Sequence, residues 1–127
     1  MIGRINELPA DSKPLSTPTP STEAIYEAEQ ATLYNAFLED IHGGYTGNAY
    51  VNYNNEYGGY IEWNVNVAKA GNYKLTFRYA NGTNVNRAMQ IIVNNSSVSE
   101  GMDFYSTGEW ASWRDSSIVV NLRQGSN

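Results

Sequence analysis

Apolar and polar residues alternate at several places along this chain, with the two-residue period of half-buried strands. The clearest case is Tyr73 to Tyr79, where Tyr73, Leu75, Phe77 and Tyr79 face one way and Lys74, Thr76 and Arg78 the other. Just before it, Ile61, Trp63, Val65 and Val67 alternate with Glu62, Asn64 and Asn66. The short turn over residues 68–72, with Gly71, predicts that these two stretches form a hairpin. Upstream, Val51 and Tyr53 oppose an outward Tyr50 and Asn52, and residues 54–59 supply the Asn and Gly of a tight polar loop between strands. Ile25, Glu27 and Glu29 share one face of a short first strand, with Tyr26 and Ala28 on the other. Residues 89–93, an extended piece from Val98 and residues 117–122 complete the strands, while the periodicity of residues 31–40 does not decide their state. Short strands, frequent turns and hardly a helical period predict an all-β sandwich.

Residues 1–23 read differently. All four prolines of the chain lie there, among Ser16, Thr17, Thr19, Ser21 and Thr22, and no apolar period is sustained. This segment is expected to be a flexible Pro/Ser/Thr linker or a disordered terminus, and residues 24–127 the folded module. At 127 residues the chain has room for one core. No apolar run approaches a membrane span, and the start lacks the pattern of a secretion signal, so any such signal is expected to have been removed or replaced. The absence of cysteine excludes a disulfide framework and a thiolate metal site. A net charge of −5 argues against nucleic acid, whose phosphates require a basic surface.

What the composition favours is a surface that reads polar ligands through rings and amides. Tyrosine numbers ten, and the stretch from Gly44 to Trp63 holds five of them with one tryptophan and four glycines in twenty residues. Polar amides and aromatic faces suit sugar recognition, and antibody-like protein binders share that chemistry. A hydrolase would need a placed carboxylate pair, but Glu27/Glu29, Glu56/Glu62 and Glu39/Asp40 have no recognisable catalytic setting. His42 stands beside two glycines without a nucleophile motif and reads as a plain loop residue. Glu27 and Glu29 are either a solvated pair or bridged by a cation, and oxygen-only ligands favour Ca²⁺. The spacing of Trp110 and Trp113 puts them on opposite faces of an extended segment. Trp113 is expected in the core and Trp110 exposed, where with Tyr50 it would offer one ring to each side of a pyranose; Tyr57 is a third aromatic candidate at the loop tip.

The ordered series YEAEQA, GGYTGNAYVNYNN, YIEWNVNVAKAGNYKLTFRYANG, NRAMQIIVNN and TGEWASW leading into VVNLRQGSN resembles carbohydrate-binding modules of family 35, relatives of family 6. The resemblance runs from about Ala24 to the end of the chain. It implies a non-catalytic jelly-roll β-sandwich attached to secreted plant-cell-wall enzymes, with a structural Ca²⁺ and a sugar site in loops at one end. By position it assigns Glu27 and Glu29 to the calcium site and Tyr50 and Trp110 to the sugar-facing aromatics, with Asn52 and Arg87 as polar contacts. It leaves β-mannan, uronic-acid sugars of pectin or glucuronoxylan bound through calcium, and xylan or galactose-bearing chains as ligands; β-mannan is the expectation taken forward. A protein-interaction or adhesion sandwich is the reading from another class. Such modules continue past the GSN turn into a further strand and an Asn-x-Asp segment. The expectation here is therefore that either another polypeptide segment supplies a strand and an acidic ligand, or the chain is markedly less stable than a full-length module, since MIGRINEL lacks alternation and reads as a poor replacement.

Overall fold

The structure is a computed structural model that describes residues 4–9 as backbone and residues 24–53 and 58–127 with their side chains. Its strands are β1 (Arg4–Pro9), β2 (Ala24–Glu27), β3 (Thr32–Tyr34), β4 (Phe37–Glu39), β5 (Tyr50–Asn52), β6 (Tyr60–Glu62), β7 (Asn66–Val67), β8 (Gly71–Tyr79), β9 (Met89–Val93), β10 (Ser96–Met102), β11 (Arg114–Leu122) and β12 (Gly125–Ser126). A single 3-10 turn, Ala28–Gln30, follows β2 among the described residues. Every pairing is antiparallel, and the fold is the β-sandwich that the alternation predicts.

The longest ladder joins β8 to β11, running from Arg114 opposite Tyr79 to Leu122 opposite Gly71. It belongs to a four-stranded sheet in the order β11-β8-β1-β2. From that sheet Leu75, Phe77, Tyr79, Val120 and Leu122 enter the main core. There they meet Val65, Val67, Met102 and Phe104, with Met89, Ile91 and Val93 of β9 packed against the cluster. The rings of Phe77 and Tyr79 both meet Phe104 edge-on, at 5.9 and 5.0 Å between centroids, an arrangement that aromatic quadrupoles favour. Between β6 and β9 a cleft of about 670 Å³ reaches down to Leu75 and Phe77. Trp63 lines it, with its indole nitrogen buried and unpartnered among the described residues.

Three sequence expectations change here. The stretches 61–67 and 73–79 do not form a hairpin with each other: β7 pairs with β12, while β8 pairs with β1 and β11. The turn over residues 68–72 instead carries the chain from one sheet to another. Thr76, expected outward, is buried and shares a 2.9 Å hydroxyl contact with Ser117 on β11. The third change concerns the N-terminal segment. Residues 4–9, expected as part of a linker, form β1 between β2 and β8, with Ile5 opposite both Tyr26 and Phe77. Ladder hydrogen bonds need backbone and not side-chain alternation, so a segment without an apolar period can still pair two open edges. The remainder of the expected linker, residues 10–23, lies outside the described residues.

Candidate functional site

Three loops meet at one place: residues 40–49 between β4 and β5, 80–88 between β8 and β9, and 103–113 between β10 and β11. Asn81, only 2% exposed, laces the second to the third. Its side-chain amide donates to the carbonyls of Val85 and Phe104 at 2.8 and 2.9 Å, and its side-chain oxygen accepts from the Thr83 amide and hydroxyl. The Thr107 amide donates to the Asn81 carbonyl at 2.9 Å. A buried amide with every polar atom paired fixes loop geometry, because an unpaired one would carry the full desolvation cost. The first loop is tied in by Trp113, whose Nε1 donates to the Gly43 carbonyl at 2.9 Å. Gly44 lets this happen with φ of +92° and leaves room where a Cβ would lie 2.9 Å from the Trp113 ring.

Trp110 sits where these loops join. Its ring lies against the Gly82 backbone, so close that a Cβ there would stand 2.6 Å from it. The Arg87 guanidinium carbon is 5.8 Å from the ring centroid, within cation–π range. Arg87 is further held by a 2.9 Å hydrogen bond from its Nη2 to the Tyr53 carbonyl, and among the described residues no carboxylate forms an ion pair with it. Trp110 is therefore half-buried, not exposed as expected, because the 80–88 loop supports one side of it.

The other predicted aromatic platform is corrected more strongly. Tyr50 is 3% exposed and packs with Ala80, Tyr45 and Trp113 in a small second core. Both faces of the short strand β5 are covered, so the alternation that put Tyr50 outside does not separate core from solvent there. The Tyr50 hydroxyl donates to Glu39 at 3.0 Å, and the Asn52 side-chain amide donates to the other oxygen of the same carboxylate at 2.7 Å. Burial, reinforced by the hydrogen bond and charge of Glu39, pushes the Tyr50 phenol up to about 12, so it is a neutral donor over the physiological range. Trp113, expected in the core, packs against this second, smaller core and is half-buried.

Between Tyr50 and Trp110 lies His42. Its ring is 6.2 Å from Tyr50 and 6.3 Å from Trp110, inclined by 26° to each. Tyr50, 3% exposed, has no free face to give, so the pyranose clamp expected from Tyr50 and Trp110 is not open in this structure; His42 stands beside both rings. The gap between His42 and Trp110 is also too narrow for a sugar ring, which needs two contacts of about 3.5–4.0 Å. What the arrangement offers is Trp110 with His42 and Arg87 beside it, each half-buried, and Asn52 linked to Tyr50 through the Glu39 carboxylate. Glu39, His42, Asn81 and Gly82 were not singled out as site residues in the sequence. Only the Asn81-Gly82 pair carries a local signal, that of a turn. Tyr57 falls outside the described residues.

Away from this cluster, Glu27 and Glu29 converge on Gly47. Thr46 Oγ1 donates to Glu27 at 3.0 Å and the Asn48 amide to Glu29 at 3.0 Å. A Cβ at Gly47, where φ is +72°, would come within 3.1 and 3.2 Å of the carboxyl carbons of Glu29 and Glu27. The two residues are not on one continuous strand: Glu27 ends β2 and Glu29 lies in the 3-10 turn, which swings both carboxylates toward the same loop. Among the described residues no third His, Cys, Asp or Glu joins them. The donor set is all oxygen, two carboxylates and the Thr46 hydroxyl, which suits a hard divalent cation of the calcium type.

A description of carbohydrate binding modules of family 35 matches residues 24–119. Among curated proteins, an exo-beta-D-glucosaminidase of Amycolatopsis orientalis is 42% identical over 120 residues, which is 94% of this chain and 11% of that enzyme. The chain thus spans about a tenth of that relative's length. A solved family 35 module from Clostridium thermocellum superposes with a TM-score of 0.79 at 58% identity, over 81% of this chain and 79% of that one. A second, Xyl-CBM35 in complex with a glucuronic acid containing disaccharide, superposes with a TM-score of 0.68 at 33% identity, covering 77% and 73% of the two chains.

Proposed function

The chain belongs to carbohydrate binding module family 35, and from that premise we propose that the surface formed by Trp110, His42, Arg87 and Asn52 binds a uronic-acid-bearing plant polysaccharide. The chain is a non-catalytic carbohydrate-binding module of the kind found in glycoside hydrolases. The observation that favours a uronate is Arg87, whose guanidinium lies 5.8 Å from the Trp110 centroid and has no carboxylate ion-pair partner among the described residues. A uronic acid presents both things this pair can hold: the C–H face of a pyranose for the indole, and a carboxylate for the guanidinium. The glucuronic-acid-containing ligand of Xyl-CBM35, a 33% identical relative, supports the same reading. The β-mannan expectation rests on the family resemblance, and no residue of the site favours it over a charged sugar.

Ring contacts of about 0.5–1.5 kcal/mol and a few hydrogen bonds that replace water give modest affinity. A dissociation constant between about 1 mM and 1 μM is expected. Affinity of that order works by tethering, raising the local concentration of a linked catalytic module on the polysaccharide. The module is accordingly assigned to a secreted enzyme acting outside the cell. Glu27 and Glu29 would hold a structural Ca²⁺, which would join the end of β2 to the 46–48 loop. Its contribution would be to neutralise two carboxylates and fix that corner of the sandwich.

Retardation in gels containing glucuronoxylan, pectin or galactomannan tests the proposal. Glucuronoxylan or pectin should slow the chain, and Arg87→Ala should abolish that shift. Retardation by galactomannan alone would return the ligand to β-mannan. If no glycan slows the chain, the sugar reading gives way to a protein-interaction or adhesion module.

A further inference from the structure

We infer that His42 is a sugar-contacting residue that sets ligand selectivity, whereas Tyr50, expected as a ring platform for the sugar, is not a contact. This rests on the reading of the Trp110 surface as the sugar site. The three rings form a row in the order Tyr50, His42, Trp110, with centroid spacings of 6.2 and 6.3 Å. Tyr50 is 3% exposed and its hydroxyl is taken by Glu39, so it has neither a face nor a free donor to give a ligand. His42 is half-buried. Tyr50 is thus the positioning residue: it backs the imidazole and fixes its tilt, and Glu39 holds Tyr50 in turn.

The imidazole meets the rings of Tyr50 and Trp110, and neither of its nitrogens has a hydrogen-bond partner among the described residues. A neutral imidazole carries one donor and one acceptor in the plane of its ring. A pyranose laid on Trp110 directs its equatorial hydroxyls sideways, in the plane of the sugar. An imidazole 6.3 Å from the indole between centroids, with both ring nitrogens unpartnered among the described residues, is within reach of those hydroxyls. Trp110 therefore reads the apolar face, Arg87 the carboxylate, and His42 the hydroxyl pattern at the edge. A ring without nitrogens at position 42 would keep the row intact and lose this discrimination.

Calorimetric titration of the full chain and two variants with D-glucuronic acid and with mannohexaose tests the inference. His42→Phe preserves the ring row and should weaken binding about fivefold to tenfold, the worth of one or two lost hydrogen bonds. His42→Gln, which restores a donor and an acceptor without the ring, should recover part of that loss. Both should melt within about 2 °C of the wild type, which separates loss of contact from loss of fold. Wild-type affinity in His42→Phe, for whichever sugar the chain binds, would overturn the inference and leave the site reading intact. If the wild type binds mannohexaose and not glucuronic acid, the uronate reading falls, and the same variants still decide the part of His42. If the wild type binds neither sugar, both fall.

Discussion

Gly82 is where the site is most sensitive to a small chemical change. A methyl group there would stand 2.6 to 2.7 Å from three atoms of the Trp110 ring, closer than side chains approach one another. The indole must then tilt or lift, and its distance to Arg87 and His42 changes with it. Gly82→Ala should weaken sugar binding at least about tenfold while lowering stability far less than truncating Phe104, which is 1% exposed in the main core and whose loss as Phe104→Ala is expected to cost about 3–5 kcal/mol. Titration and thermal unfolding of the two variants check this; undiminished binding by Gly82→Ala would mean that Trp110 is not the platform. At this scale the sequence was only partly legible. The sequence names Trp110 and Arg87, which the structure sets side by side, and Asn52, which shares the Glu39 carboxylate with Tyr50. His42 reads in the sequence as a plain loop residue, because side-chain direction in a loop follows no period and nothing in its neighbours announces the two rings that the structure sets against it.

Strands were legible in proportion to their length. The nine-residue β8 shows most of its alternation: Leu75, Phe77 and Tyr79 are buried as predicted, and Thr76 is the exception. The three-residue β5 does not, since Tyr50 and Val51 are both buried and the period carries no information about which side is solvent. Pairing partners were harder still: β7 lies next to β8 in the chain, yet its partner is β12, and no local pattern encodes which edge a strand will find. The sharpest case is β1, whose sequence RINELP offers no alternation. Its place between β2 and β8 is defined by the two edges it closes. Removing residues 1–9 would leave both edges unpaired and should lower the melting temperature by at least about 5 °C, the shift that roughly 1 kcal/mol produces in a domain of this size. An unchanged melting temperature would restore the linker reading for the whole of residues 1–23.

Over the whole molecule, the sandwich acts as a rigid support that brings three loops together and ties them with Asn81 and Trp113. The all-β class and the family were legible in the sequence because they depend on the order of many motifs, each weak alone. The ligand was not, because it depends on how a few side chains from separate loops meet. The net charge of −5 would by itself repel an anionic sugar, so a uronate has to be held by a local cation placed against that field. Arg87 beside Trp110 supplies one, and calcium at Glu27 and Glu29 would reduce the opposing charge at another corner. Calorimetric titration of the 127-residue chain with D-glucuronic acid, in calcium and again in EDTA, tests this most directly. The account predicts saturable one-to-one binding with a dissociation constant between about 1 mM and 1 μM, lost in Arg87→Ala and Trp110→Ala. No heat with glucuronic acid in either buffer, beside clear binding of mannohexaose that survives Arg87→Ala, would contradict it.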